Sequence, residues 1–220
     1  MGTTPPRPSV DLRSFVFLDR MQPQFASFVA TVARGYLPVA GQAALYVEIA
    51  PGIAINRITD IALKSNEVRP GMQIVERAFG LLELHSESQS EIRQAGQKIL
   101  EFLGTNEGGR RKPKIQSSEI ITHVDDYQTM LINRERHGMM ILGGETLYIL
   151  EVEPAGYAAL AANEAEKASP IKLLEMRAFG AFGRVYLGGG EAEIEQAARA
   201  AERALTSLSG RDESGGRSGA

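Results

Sequence analysis

The chain alternates between two spacings of apolar residues, and each change of spacing marks an element. SFVFLD at 14–19 is a short apolar strand. QPQFASFVATVARG at 22–35 has helical spacing and runs to Gly35, a candidate glycine C-cap. AALYVEI at 43–49 is a second strand, followed by a helix with Ile55, Ile58 and Ala62 on one face. MQIVE and LLELH are two more strands joined through Arg77-Ala78-Phe79-Gly80. In the latter, Leu82 and Leu84 alternate with Glu83 and His85, the pattern of a half-buried strand. A last helix opens at Ser88 or Ser90 as N-cap and carries Ile92, Ala95, Ile99 and Leu103 along one stripe.

The same order then returns. LYVEIAPG at 45–52 matches YILEVEPAG at 148–156, an offset of 103 residues that also brings Lys64 onto Lys167. ARGYLPVAG at 33–41 lies over RHGMMILGG at 136–144, and EIRQAGQKILEFL at 91–103 over EIEQAARAAERAL at 193–205. The second-copy helix faces are Ala158, Ala161 and Ala165, then Ile194, Ala197, Ala201 and Leu205. Arg-Ala-Phe-Gly itself recurs at 177–180, an offset of 100 that places Met176-Arg177 against Glu76-Arg77. Two α+β copies are expected, at 13–104 and 116–207, each an antiparallel sheet with helices on the other side of the sandwich. Residues 105–115 read as a linker, its basic cluster Arg110–Lys114 solvated. The Gly/Ser-rich tail, 208–220, reads as disordered.

Composition removes several classes of function. With no Cys there is no thiolate nucleophile, no disulfide and no cysteine-ligated metal, which fits a reducing cytoplasm. A net charge of −3 gives no basis for general nucleic-acid binding. No run reaches the ~20 apolar residues of a membrane-spanning helix, and the first ten residues lack the apolar core of a signal peptide. LGGGEAE at 187–193 lacks the Gly-Lys-Ser/Thr ending of a phosphate loop. His85, His123 and His137 lie on separate segments as surface or strand-edge residues, so no metal site is expected. Glu151 and Glu153 share a strand face without a nucleophile or base beside them, and Glu164 and Glu166 read as a solvated helix end. No catalytic constellation and no cofactor site emerge.

RITDIALKSNEVRPGMQIVERAFGLLEL at 57–84 resembles the bacterial microcompartment shell domain, and the likeness extends over both copies. The strand and helix preceding each copy resemble the circularly permuted form, and the whole is similar to the tandem-domain, gated-pore shell proteins. The resemblance implies a structural, non-enzymatic protein in the bacterial cytoplasm. Three chains would form a pseudohexagonal tile in the shell of a carboxysome or metabolosome, packed beside hexameric and pentameric shell proteins. Stacking of two trimers belongs to the same implication.

In that family the loop between the paired strands lines a central pore for small metabolites. The resemblance carries this role to Glu76, Arg77, Ala78, Phe79 and Gly80, and to Arg177, Phe179 and Gly180, with Glu76 and Arg77 as the moving gate. Three Arg177 side chains on the axis would leave the ring net positive and attract anions. Lys64 and Lys167, ending matching helices, carry the role of contacts between tiles. Read from the residues alone, Glu76 and Arg77 also suit a solvated strand end, and both lysines suit ordinary helix C-terminal cations. The alternative function is a soluble trimeric α+β regulatory protein that binds a small metabolite.

Overall fold

In the computed structural model residues 10–212 are described. The tail expected to be disordered continues from 213 outside the described residues, as do residues 1–9. The first copy comprises β1 (Asp11–Leu18), α1 (Pro23–Val32), β2 (Ala43–Ala50), α2 (Ile55–Ser65), β3 (Arg69–Glu76), β4 (Phe79–Ser86) and α3 (Gln89–Leu103). The second comprises β5 (Lys114–Ile121), α4 (Asp126–Glu135), β6 (Thr146–Glu153), α5 (Tyr157–Ala168), β7 (Lys172–Arg177), β8 (Gly183–Gly189) and α6 (Glu191–Thr206). Each makes a four-stranded antiparallel sheet, in the orders β1-β2-β4-β3 and β5-β6-β8-β7.

The helices do not all lie on one side. In the first copy α2 and α3 cover one sheet face through Ile55, Ile58, Ala62, Ile92, Ala95 and Ile99, packed on Leu45, Val47, Ile49, Leu82 and Leu84. The opposite face carries Val16, Leu18, Ala44, Tyr46 and Leu81, which share one buried cluster with Phe25, Phe28 and Val29 of α1. That cluster continues into Ala158, Ala159, Ala161, Ala162 and Ala165 of α5, so α1 is sandwiched between the copies. The Phe25 and Tyr46 rings meet edge to face with centroids 6.2 Å apart.

Side-chain capping locks this junction. The Glu166 carboxylate accepts from the backbone N–H of Gln24 and of Phe25, at 2.7 Å each, and caps α1 from across the domain boundary. Asn163 accepts from Gln22 N and donates to Arg20 O. The Gln24 amide donates to Ile171 O and accepts from Leu173 N, satisfying the edge of β7. Glu166 is therefore an interdomain cap rather than part of a solvated helix end.

The basic segment is also tied down. Arg110 is buried and donates to Phe15 O and Ser209 O, and Arg111 pairs with Asp11 at 2.7 Å. The first tail residues return to the same place, where Arg211 pairs with Asp11. At the start of α3, Ser88 is the N-cap, accepting from Glu91 N. Gly35 is not a C-cap: α1 ends one turn earlier at Val32, with Ala33 extended. Gly35 is required instead because a Cβ there would lie 2.3 Å from Pro70 O.

Candidate pore loops

The ladders fix how the copies correspond. Ile49 pairs with Gly80 as Val152 pairs with Gly183, and Gln73 pairs with Leu82 as Met176 pairs with Val185. The separation is 103 residues from β1 through β8, with no shift at the turn. The offset of 100 suggested by the repeated Arg-Ala-Phe-Gly is therefore a misalignment. The equivalent of Ala78-Phe79-Gly80 is Ala181-Phe182-Gly183, a second Ala-Phe-Gly directly after the first. Phe179 and Gly180 stand where Glu76 and Arg77 stand, and Arg177 occupies the place of Ile74, on the strand.

Backbone geometry agrees. Arg77 has φ +51° and Gly180 φ +99°, left-handed positions at the same point of the two turns. The first turn is tight, with Glu76 opposite Phe79. Its base is fixed: Gly52 N donates to Ala78 O at 2.8 Å, and the Arg13 guanidinium lies 3.7 Å from the Phe79 ring centroid. Gly80 packs so closely that a Cβ would lie 2.4 Å from Gly52 O. Its tip is loose: the Arg77 side chain is 93% exposed and meets Glu76 only at 3.9 Å. In the second turn Phe179 folds back against the interdomain core, with the Arg177 guanidinium 5.5 Å from its ring. The two tips converge, since a Cβ on Gly180 would lie 3.9 Å from Glu76 Cγ.

Behind the first turn Arg13 and Glu48 form a buried ion pair at 2.7 Å. Glu48 also accepts from Gly156 N at 2.7 Å, which joins the sheet of one copy to the helix start of the other. Burial pushes the Glu48 carboxyl up, and Arg13 opposes it. In the second copy the matching position is partly open to solvent, and Glu151 pairs there with the exposed Arg184.

His85 is not at the surface. It is fully buried with Glu83, Nδ1 to Oε1 3.0 Å, and Glu83 accepts from Gly71 N. His123 and His137 are exposed, the latter 2.8 Å from Glu175. Lys64 and Lys167 end α2 and α5 as exposed side chains, paired with Asp60 and Glu164 of their own helices. The described residues contain no His/Asp/Glu cluster able to hold a metal ion, and no described helix is long and apolar enough to cross a membrane.

A tandem pair of permuted α+β domains, with the strand-joining turns of both brought together, defines a microcompartment shell protein of the double-domain type. Residues 12–109 match the family model described as the CsoS1D N-terminal domain. The chain is 56% identical over 209 residues to the carboxysome shell protein CcmP of Synechococcus elongatus, covering 95% of this chain and 98% of that one. It is 50% identical to the carboxysome shell protein CsoS1D of Hydrogenovibrio crunogenus, covering 90% and 98%. Among solved structures, the fused permuted hexameric shell protein MSM0275 from the RMM microcompartment superposes with a TM-score of 0.89 at 48% identity, covering 91% of this chain and 99% of that one. The double ringed trimeric shell protein MSM0271 from the same microcompartment also gives 0.89, at 37% identity, covering 93% and 100%. The chain belongs to the carboxysome shell protein family; its place is the shell of a microcompartment in the bacterial cytoplasm.

Proposed function

We propose that three copies of this chain close into a pseudohexagonal carboxysome tile whose six strand-joining turns surround a gated pore for small metabolites. The observation that carries it is a contact the chain makes once internally and leaves unmade once. Helix α5 is buried on both sides because its second face packs against the first copy. Its equivalent α2 is buried on one side only, leaving Leu63 40% exposed and, in the 3-10 turn Gly52–Ala54 just before it, Ile53 69% exposed. On the other half of the contact, Phe28 of α1 is buried near Gly138, while its equivalent Leu131 of α4 is 60% exposed. Tyr127, the equivalent of Gln24, is 78% exposed. Each open position matches a closed one in the other copy, so α2 of one chain fits α4 and β5 of the next.

A second apolar surface supports stacking of two tiles. Met139, Met140 and Leu142 are 45%, 49% and 52% exposed although their loop already touches the neighbouring domain at Gly138–Phe28. Tyr36, Leu37 and Val39 form the matching patch on the first copy. Ring closure leaves both patches uncovered, and a facing ring of the same chain has the complementary surface. Lys64 and Lys167 then project from the tile as contacts to neighbouring tiles, including other hexameric and pentameric shell proteins. Glu76 and Arg77, with Ala78, Phe79 and Gly80 behind them, alternate round the axis with Phe179 and Gly180, and Arg177 stands at the rim. The role is structural, with no enzymatic activity.

Cysteine cross-linking tests the ring. A Cβ on Gly156 would lie 3.4 Å from Ser14 Cβ within the chain. The equivalent pair between chains is Ile53 and Ser117. With no native cysteine to compete, an Ile53→Cys/Ser117→Cys variant is expected to oxidise to covalent trimers on a non-reducing denaturing gel. Monomers alone, at concentrations where the wild type is associated, would contradict the proposal.

A further inference from the structure

We propose that Gly180 is the clearance residue of the pore: a side-chain-free berth beside Glu76 that gives each chain one moving turn and one fixed turn. The inference rests on the pore reading above and goes beyond it by assigning the second copy its own part in gating.

The two turns have the same backbone course and opposite side-chain character. The first presents Glu76 and Arg77, both exposed at the tip, over a base held by the Gly52–Ala78 hydrogen bond and the Arg13–Phe79 contact. Motion in this turn is therefore confined to two residues. Arg77 holds a left-handed backbone at φ +51°, a conformation disfavoured for a residue with a Cβ. Release of that strain would favour a second arrangement of the tip, and a two-position switch requires two arrangements of similar energy.

The second turn has neither the charge nor the freedom. Phe179 replaces Glu76 and is partly buried against the interdomain core, so a swing would expose more of its ring. Gly180 replaces Arg77 and meets the strained φ without penalty. Apart from its two chain neighbours, the only atom among the described residues within 4 Å of a Cβ built on Gly180 is Glu76 Cγ, at 3.9 Å. The space above Gly180 is thus open except toward the neighbouring moving turn. A longer side chain there would enter the volume that the Glu76 carboxylate sweeps as the ion pair with Arg77 breaks and reforms. That pair, exposed and at 3.9 Å, contributes little, so steric access at Gly180 decides which arrangement dominates.

The test is to sort electron cryo-microscopy images of assembled wild-type, Gly180→Asn and Gly180→Ala protein by the position of Glu76-Arg77. Asn tolerates a left-handed backbone and adds a short polar side chain; Ala adds a methyl group alone. Light scattering confirms beforehand that each variant keeps the wild-type mass. Wild type is expected to show two arrangements of the first turn, with the second turn unchanged between them. Gly180→Asn is expected to change their ratio by about fivefold, the effect of ~1 kcal/mol on a two-state equilibrium, and Gly180→Ala to change it less in the same direction. Two wild-type arrangements whose ratio is untouched by Gly180→Asn would overturn the berth and leave the pore standing. A single wild-type arrangement, or turns lying away from the axis, would overturn the gated-pore reading and the berth with it.

Discussion

Glu83 and His85 show how little a strand's alternation says about what covers it. They occupy the polar positions of a two-residue period, and the pattern alone places them in water. Both are fully buried, because α1 closes over their face of the sheet. Glu83 is retained there by its hydrogen bonds to His85 and Gly71 N, and it holds β3 at its bulge between Pro70 and Met72. Burial raises the Glu83 carboxyl above its ordinary value, with the hydrogen bond and charge of His85 pulling it back. A raised carboxyl binds its proton more tightly when folded. Its stabilising contribution is therefore complete below the ordinary value of 4.5 and lost as pH rises through the folded value. Thermal melts across this range are expected to show wild type losing stability relative to Glu83→Gln as pH rises. A difference that stays constant with pH would contradict the assignment.

At the scale of elements, periodicity marks α2, α3, α5 and α6 and the strands they cover, whose apolar stripes are buried together. The turns were a different matter. Identity over four residues favoured aligning Arg77–Gly80 with Arg177–Gly180, whereas the ladders align Gly80 with Gly183. The true signal, Ala-Phe-Gly repeated at 181–183, lay in the sequence and was outweighed by the longer match. The interdomain cap was beyond reach: nothing near Glu166 announces that its partners are the N–H groups of Gln24 and Phe25, more than 140 residues earlier. Helix α1 has no side-chain cap of its own. Glu166→Ala is therefore expected to destabilise the start of α1 by about 0.5–2 kcal/mol. Hydrogen exchange would report this as faster exchange at residues 23–29, with α4, which carries its own cap in Asp125, unchanged. Equal protection of α1 in the variant would show that the cap contributes nothing.

For the whole molecule, duplication separates what a domain needs to fold from what a ring needs to close. The first copy meets the second through α1, β1 and α5, and buries Arg13, Glu48, Phe28 and Ala159 of α5 in doing so. The equivalents Gln116, Glu151, Leu131 and Asn56 lie partly or fully exposed. One chain thus displays both halves of a contact it has already made once, which is the physical basis for repeated association with further copies. Substitution has made the two contacts unequal: Ile53 stands where Gly156 stands, and Asp60 where Asn163 stands. That inequality favours alternation of first and second copies round the ring over a chain pairing with itself. Solution mass by light scattering, on the same sample imaged by electron microscopy, tests this most directly. The account predicts three or six times the 23.8 kDa chain, seen as hexagonal tiles with a central hole. A monomer at micromolar concentration, with no tiles in the images, would contradict it.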